Sequence, residues 1–178
     1  MKARKVKGLD SQGALQENAA RIVRTRLEEL RSFLEEALEP EAWQAQHDMR
    51  IAAKRLRYVL EVVAPCFGEE AEAARAAAKD LQTILGDIHD CDVMLPRVRR
   101  QVEALQASDA RAILLRSDGA RDLQARYVYE SPHRDAYGGL ELVSVHLLAR
   151  RELLFERFRS LWQEQASKGT WAALERAL

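Results

Sequence analysis

One segment in the first half of the chain concentrates residues that could bind an anion. From His47 to Glu61 it reads HDMRIAAKRLRYVLE. Wound as a helix at about 100° per residue, this segment separates polar from apolar side chains. One side, here called the polar stripe, holds His47, Arg50, Lys54, Arg57 and Glu61. The opposite side holds Met49, Ala53, Leu56, Leu60 and Val63. A row of fixed positive charges on a rigid rod suits an extended polyanion.

The charge spacing argues for a ligand, although a merely solvated helix face remains an alternative interpretation. Solvated faces usually alternate charge sign at i,i+4, whereas Arg50 and Lys54 are like charges at that spacing and Arg57 follows three residues later. Each like-charge pair costs a few tenths of a kcal/mol, roughly, in an isolated helix. A bound anion would attract both cations of such a pair and turn this free-energy cost into a gain.

Composition restricts where such a site can lie and what kind of protein holds it. The 178 residues have a formal net charge of zero, which argues against a basic protein that coats DNA, so an anion site must be local. The two cysteines cannot form a disulfide framework and fit a reducing cytosol. No apolar run approaches the ~20 residues of a membrane span, and the basic start lacks the apolar segment of a signal peptide. We therefore expect a cytoplasmic protein with no membrane association and no cofactor.

The elements that must position the polar stripe are predicted to be helices throughout. Alanine and leucine are abundant, proline is scarce, and no alternating β-branched run occurs. We predict an all-α, antiparallel bundle of about six helices, in a single domain over residues 11–178 that follows a flexible basic arm at 1–10. The main predicted helices cover about residues 13–38, 41–63, 69–85, 91–105 and 140–165, with short helices in 109–129 and 171–178. Gly86 is expected to bend or end the third, and Gly138–Gly139 to lie in a loop.

Two segments resemble the signature helices of CHAD domains, the conserved histidine α-helical domains. The first is His47–Tyr58, which combines a histidine, four cations and a tyrosine at helical offsets. The second is Leu81–Val93, where a Leu-Gly pair precedes an acidic turn. The resemblance extends along nearly the whole chain, from Val6 to Trp162.

This resemblance implies a helical bundle that binds inorganic polyphosphate without catalysis, as a binding module found at polyphosphate granules. Its implied binding residues on the second predicted helix are His47, Arg50, Lys54, Arg55 and Arg57. Weaker additions are Lys79, Arg21 and Arg24. No metal ligands are implied.

His47 has two interpretations that the sequence leaves open. It could contact the ligand and gain charge as pH falls toward about 6.5. Alternatively, it could be a structural imidazole at the helix start, bonded to a neighbouring carboxylate.

The chain also departs from the family pattern, because many members contain two such motifs and only one is found here. The sequence is therefore interpreted as a short form of the family, with half of the basic surface that longer members have. A homodimer could restore the other half by pairing two polar stripes across a twofold axis.

Two other functions remain as alternatives. His47-Asp48 and His89-Asp90 are His-Asp pairs of the kind that HD-type metal-dependent phosphohydrolases use, and His133 and His146 could add ligands. The cations that follow His47 would, however, repel a divalent ion. Nucleic acid is a disfavoured partner, because net charge is zero and few exposed aromatics flank the polar stripe.

Overall fold

Helices form all the regular secondary structure of the computed structural model, which describes residues 2–178. Seven α-helices and no strand occur in that range, which confirms the predicted all-α bundle. They are α1 (Leu15–Arg31), α2 (Leu34–Ala37), α3 (Trp43–Val63), α4 (Gly68–Arg116), α5 (Arg126–Tyr129), α6 (Arg134–Ser167) and α7 (Thr170–Ala177). A short 3-10 turn, Ala64–Cys66, separates α3 from α4.

Two compact units divide the chain. One contains residues 1–89 and 153–178, and the other contains residues 90–152. Both boundaries fall inside helices, α4 and α6, so a single folding domain over residues 11–178 stays a prediction. No helix in the described part of the chain is long and apolar enough to cross a membrane.

The core of the first unit contains the apolar side of α3 that the sequence pattern predicted. Met49, Ala53, Leu56 and Leu60 are fully buried, and Val63 is nearly so. The same unit also buries residues of α1, α4, α6 and α7, among them Leu27, Leu81, Phe158 and Leu174. Burying each of the larger side chains, such as Met49 or Leu56, contributes about 1.5–3 kcal/mol relative to exposing it. This packing fixes the rotation of α3, and therefore turns the polar stripe away from the core.

Within the arm that the sequence predicted to be flexible, residues 4–10 are held against α1. The Arg26 guanidinium donates a hydrogen bond to the carbonyl oxygen of Arg4 (2.6 Å), and the Arg21 guanidinium donates to that of Gly8. At the end of the arm, Asn18 exchanges two hydrogen bonds with the backbone of Asp10. Side chains of α1 therefore satisfy backbone groups along the arm.

Several helix boundaries differ from the prediction. The predicted helix over residues 13–38 breaks after Arg31, where the Ser32 hydroxyl bonds to the carbonyl oxygen of Glu29 and competes with the helical pattern. The third and fourth predicted helices form one continuous α4 that contains both Gly86 and Pro96. Both residues weaken a helix, and buried side chains such as Ile88 and Val98 offset that cost.

The second unit is anchored by a buried carboxylate that the sequence did not single out. Asp109, on α4, accepts hydrogen bonds from the Tyr137 hydroxyl (2.7 Å) and the backbone N–H of His133, and lies 2.7 Å from the His133 Nδ1. Burial alone would raise the pKa of Asp109, but hydrogen bonds from Tyr137, His133 and Ser131 outweigh it and hold that pKa below its ordinary value. These bonds tie down the start of α6, so Gly138–Gly139 lies within a helix rather than in the predicted loop.

Candidate functional site

The polar stripe of α3 lies alongside α4, and the two helices run antiparallel. His47 stacks near His89, with ring centroids 4.4 Å apart. Farther along α3, the Arg50 side chain passes over Gly86, and a carboxylate oxygen of Glu61 lies 3.9 Å from Arg75. Each step forward along α3 is matched by an equal step back along α4. In this register Lys54 falls opposite Gln82, and Arg57 opposite Lys79.

We call this surface the α3–α4 face, and its members come from both helices. They are the polar stripe of α3 together with Lys79, Gln82, Gly86 and His89 of α4. Of the predicted binding residues, His47, Arg50, Lys54, Arg57 and Lys79 therefore share one face. Sequence reasoning did not assign Gln82, Gly86 or His89 to it, although the Leu81–Val93 motif contains all three.

Gly86 makes room for Arg50 where the two helices approach each other. A Cβ atom built on Gly86 would lie 3.8 Å from the Cδ atom of Arg50, which is an ordinary van der Waals contact. A longer side chain at residue 86 would compete with the Arg50 methylenes for that space. The glycine inside α4 thus coincides with the passage of an arginine over the helix.

The cations of the α3–α4 face differ in the interactions that they make with the rest of the protein. The Nε atoms of Arg50 and Arg57 are buried and have no hydrogen-bond partner among the described residues. Lys54 is exposed, and Tyr58 faces two cations: Arg57 at 4.5 Å and Lys54 at 5.7 Å from its ring centroid. Cation–π contact at these distances restrains both head groups while leaving their charge uncompensated.

Buried polar atoms without partners cluster on the same face. The Nδ1 of His47 and the Oε1 of Gln82 add one imidazole and one amide atom to the two arginine Nε atoms. The Oδ1 of Asp48, on the next residue of α3, is in the same condition. Leaving such a group unsatisfied costs about 1–3 kcal/mol. Because these atoms are closed to solvent, a ligand on this face would contact only the outer atoms of the same half-buried side chains.

The surroundings of His47 disfavour its protonation. Its pKa is lowered from 6.5 first by burial, then by the nearby His89 and Arg50, against an opposing contribution from Asp48. The Nδ1 atom makes no bond to a neighbouring carboxylate in the described chain, so the structural interpretation that the sequence left open does not describe this nitrogen.

Arg55 lies on the other flank of α3, where it has a partner inside the protein. Its Nη1 is 2.7 Å from Oε1 of Glu29, a carboxylate of α1 that is only 1% exposed. Arg26 forms a second ion pair with Glu29, and the backbone N–H of Arg4 donates to it at 3.3 Å. A fully buried carboxylate requires such compensation, so removal of one of its partners should destabilise the α1–α3 packing.

Arg21 and Arg24, the two predicted binding residues on α1, also make their contacts outside the polar stripe. Arg21 donates to the carbonyl of Gly8 and lies 3.9 Å from Glu17. Arg24 is exposed, and in the described chain no hydrogen bond or ion pair links it to α3 or α4. Binding of a ligand by Arg21, Arg24 or Arg55 stays a prediction.

Metal-binding side chains do not converge on this face. In residues 2–178, no group of three or more His, Cys, Asp or Glu side chains is placed to hold a metal ion. The described contacts instead define a helical bundle with a locally cationic face.

Comparison with known protein families identifies the family to which this helical bundle belongs. Residues 2–99 match the CHAD domain, and this match includes all of the α3–α4 face. The chain therefore belongs to the CHAD domain family. Searches of curated proteins and of solved structures gave no match.

Proposed function

We propose that this protein binds inorganic polyphosphate through the α3–α4 face and leaves the polymer chemically unchanged. The observation that carries the proposal is the arrangement of Arg50, Lys54 and Arg57: three cations on one face of α3, with no acidic side chain paired to any of them among the described residues. Membership of the CHAD family, which is linked to polyphosphate binding, supports the same ligand.

The chemistry of the face suits a flexible chain of phosphates. Guanidinium groups bind phosphate oxygens in bidentate geometry, whereas the Lys54 ammonium acts as a point charge. Polyphosphate has about one charge per phosphate, so we expect most of its affinity to come from counterion release, as for nucleic acid backbones. Because the net charge of the protein is zero, that attraction should be confined to the face rather than spread over the surface.

Calorimetry of long-chain polyphosphate binding at two salt concentrations tests the proposal. If Arg50, Lys54 and Arg57 each neutralise one phosphate, affinity should fall about 20- to 40-fold between 50 and 200 mM salt. A DNA oligomer of matched charge serves as competitor. Tight, salt-sensitive binding that survives the competitor supports a polyphosphate site, whereas absence of binding, or equal binding to DNA, contradicts it.

The HD-type phosphohydrolase remains the alternative function, because the α3–α4 packing brings His47 and His89 together. The same samples distinguish it. Release of orthophosphate on incubation with polyphosphate and Mg²⁺ or Mn²⁺, lost in His47→Ala, would favour the enzyme. Unchanged polymer length after incubation would favour the binding module.

The same proposal predicts that the protein is located in the cytoplasm, at polyphosphate granules. A fluorescent fusion should colocalise with granules in cells that accumulate polyphosphate. A fusion with Arg50→Ala and Arg57→Ala should be diffuse at the same expression level.

A further inference from the structure

The His47–His89 pair occupies the end of the α3–α4 face at the start of α3. The ring centroids lie 4.4 Å apart, with a tilt of 43° between the ring planes. The two rings come from different helices, whose packing fixes their distance. Two imidazolium ions this close would repel each other, so the packed helices disfavour charging both rings.

The charges around His47 also act against a proton on this ring. Arg50 follows on the same α3 face, and its contribution and that of His89 both act against a proton on His47. Asp48 is the opposing acid among the described neighbours of His47. The Nδ1 of His47 is buried and has no hydrogen-bond partner in the described chain, so no acceptor in the protein favours a proton there.

An anionic ligand would invert this balance. A phosphate oxygen near the pair would accept a hydrogen bond from a protonated imidazole and offset its repulsion from the second ring and from Arg50. The protonated form would therefore be more favoured in the complex than in the free protein. Linkage then requires that a group which gains protons on binding makes affinity rise as pH falls.

We infer that His47 and His89 form a proton-coupled phosphate subsite, which takes up a proton when a polyphosphate chain binds along the α3–α4 face. This inference rests on the proposed function, since it concerns the same ligand. It adds His89 to the binding residues and makes binding sensitive to pH. For one coupled proton, affinity rises at most about tenfold per pH unit.

The other two histidines provide contrasts within the same chain. His133 has its Nδ1 2.7 Å from the Asp109 carboxylate, so that nitrogen already has a partner. His146 is exposed on α6 in the second unit. Neither belongs to the α3–α4 face, and His146→Gln is therefore the matched control.

Calorimetry in buffers of different ionisation enthalpy counts the protons taken up. The measurement uses the full chain with long-chain polyphosphate. The terminal phosphates of this polymer titrate at about pH 6, but they are a negligible fraction of its phosphates. Titrations at pH 8, 7 and 6 compare the wild type with His47→Gln, His89→Gln and His146→Gln. Thermal melts of the free variants establish that each is folded.

Proton uptake by the wild type and by His146→Gln, lost in both His47→Gln and His89→Gln, is the expected result. Polyphosphate binding without proton uptake would overturn this inference and leave the proposed function intact. Uptake that persists in either variant of the pair would overturn it as well. Failure to bind polyphosphate at any pH would instead overturn the proposed function, and the inference with it.

Discussion

The two flanks of α3 use arginine in opposite ways. On one flank, Arg55 reaches the buried carboxylate of Glu29, which Arg26 also pairs. On the other, Arg50 and Arg57 have buried Nε atoms with no partner in the described chain. Residues in one continuous cationic run therefore contribute to different properties of the molecule. Arg55 compensates a buried acid, whereas Arg50 and Arg57 are the arginines that we propose bind the ligand.

This comparison separates stability from binding along a single helix. A cation that compensates a buried acid should reduce the free energy of unfolding when it is removed. A cation without an internal partner should affect ligand affinity while leaving stability nearly unchanged. Each prediction below tests one side of that division.

The largest expected effect is on the Glu29 cluster. Arg26→Ala removes a partner from a carboxylate that is 1% exposed, and should lower the free energy of unfolding by about 3 kcal/mol or more. Urea denaturation measures it. The matched control is Arg159→Ala, which removes an exposed i,i+3 pair with Glu156 and should cost less than about 1 kcal/mol. Equal losses in the two variants would remove the distinction between buried and exposed pairs.

Arg55→Ala should have a smaller effect of the same kind. It removes a charged hydrogen bond from an arginine that is more exposed than Arg26, so we expect a loss of about 1.5 kcal/mol in unfolding free energy. Polyphosphate affinity, measured by calorimetry on the folded variant, should stay within about twofold, which is under ~0.4 kcal/mol. A tenfold loss of affinity without destabilisation would place Arg55 on the ligand side of α3, as the sequence resemblance implied.

Substitutions at Gly86 test whether the passage of Arg50 over α4 matters. Gly86→Ala fits at ordinary contact distance and should raise the free energy of unfolding by about 0.5–1 kcal/mol through helix propensity. Gly86→Leu would displace the Arg50 methylenes and should weaken polyphosphate binding. Denaturation and calorimetry on both variants check this. Equal affinity in the two variants would show that the position of Arg50 is unimportant.

The smallest expected effect is a pH dependence of stability. Because the pKa of His47 is lowered in the folded protein from 6.5, the unfolded chain takes up this proton first as pH falls. Stability without ligand should therefore decrease below about pH 6.5 until the folded pKa is reached. His89→Gln removes the neighbouring ring and should reduce that decrease in urea titrations. An unchanged decrease in this variant would exclude His89 as its cause.

Sequence periodicity predicted α3 well, because its apolar side is a strong and regular signal. Met49, Ala53, Leu56 and Leu60 are buried as expected, and the helix ends before Pro65. The pattern could not show that Gly86 lies inside α4, since a glycine in a helix and one at its end look alike. The outcome depends on the burial of side chains on either side of it, such as Leu85 and Ile88.

The site was harder to predict, because partners distant in sequence decide what each cation does. Nothing local distinguishes Arg55 from Arg57, and only the α1–α3 packing brings Glu29 to one of them. Likewise, the antiparallel register of α3 and α4 brings His89 to His47 and aligns Lys79 with Arg57. The homodimer also stays a prediction. Light scattering that shows a monomer with and without polyphosphate would contradict it.

The most direct test of the central claim is the affinity of the double variant Arg50→Ala with Arg57→Ala. The measurement is calorimetric binding of long-chain polyphosphate, with Arg159→Ala plus Arg176→Ala as a control that also removes two positive charges. Our account predicts at least a tenfold loss in the first variant, which is about 1.4 kcal/mol, little change in the control, and near wild-type stability in both. Unchanged affinity in the folded Arg50→Ala/Arg57→Ala variant would contradict the assignment of the α3–α4 face as the binding site.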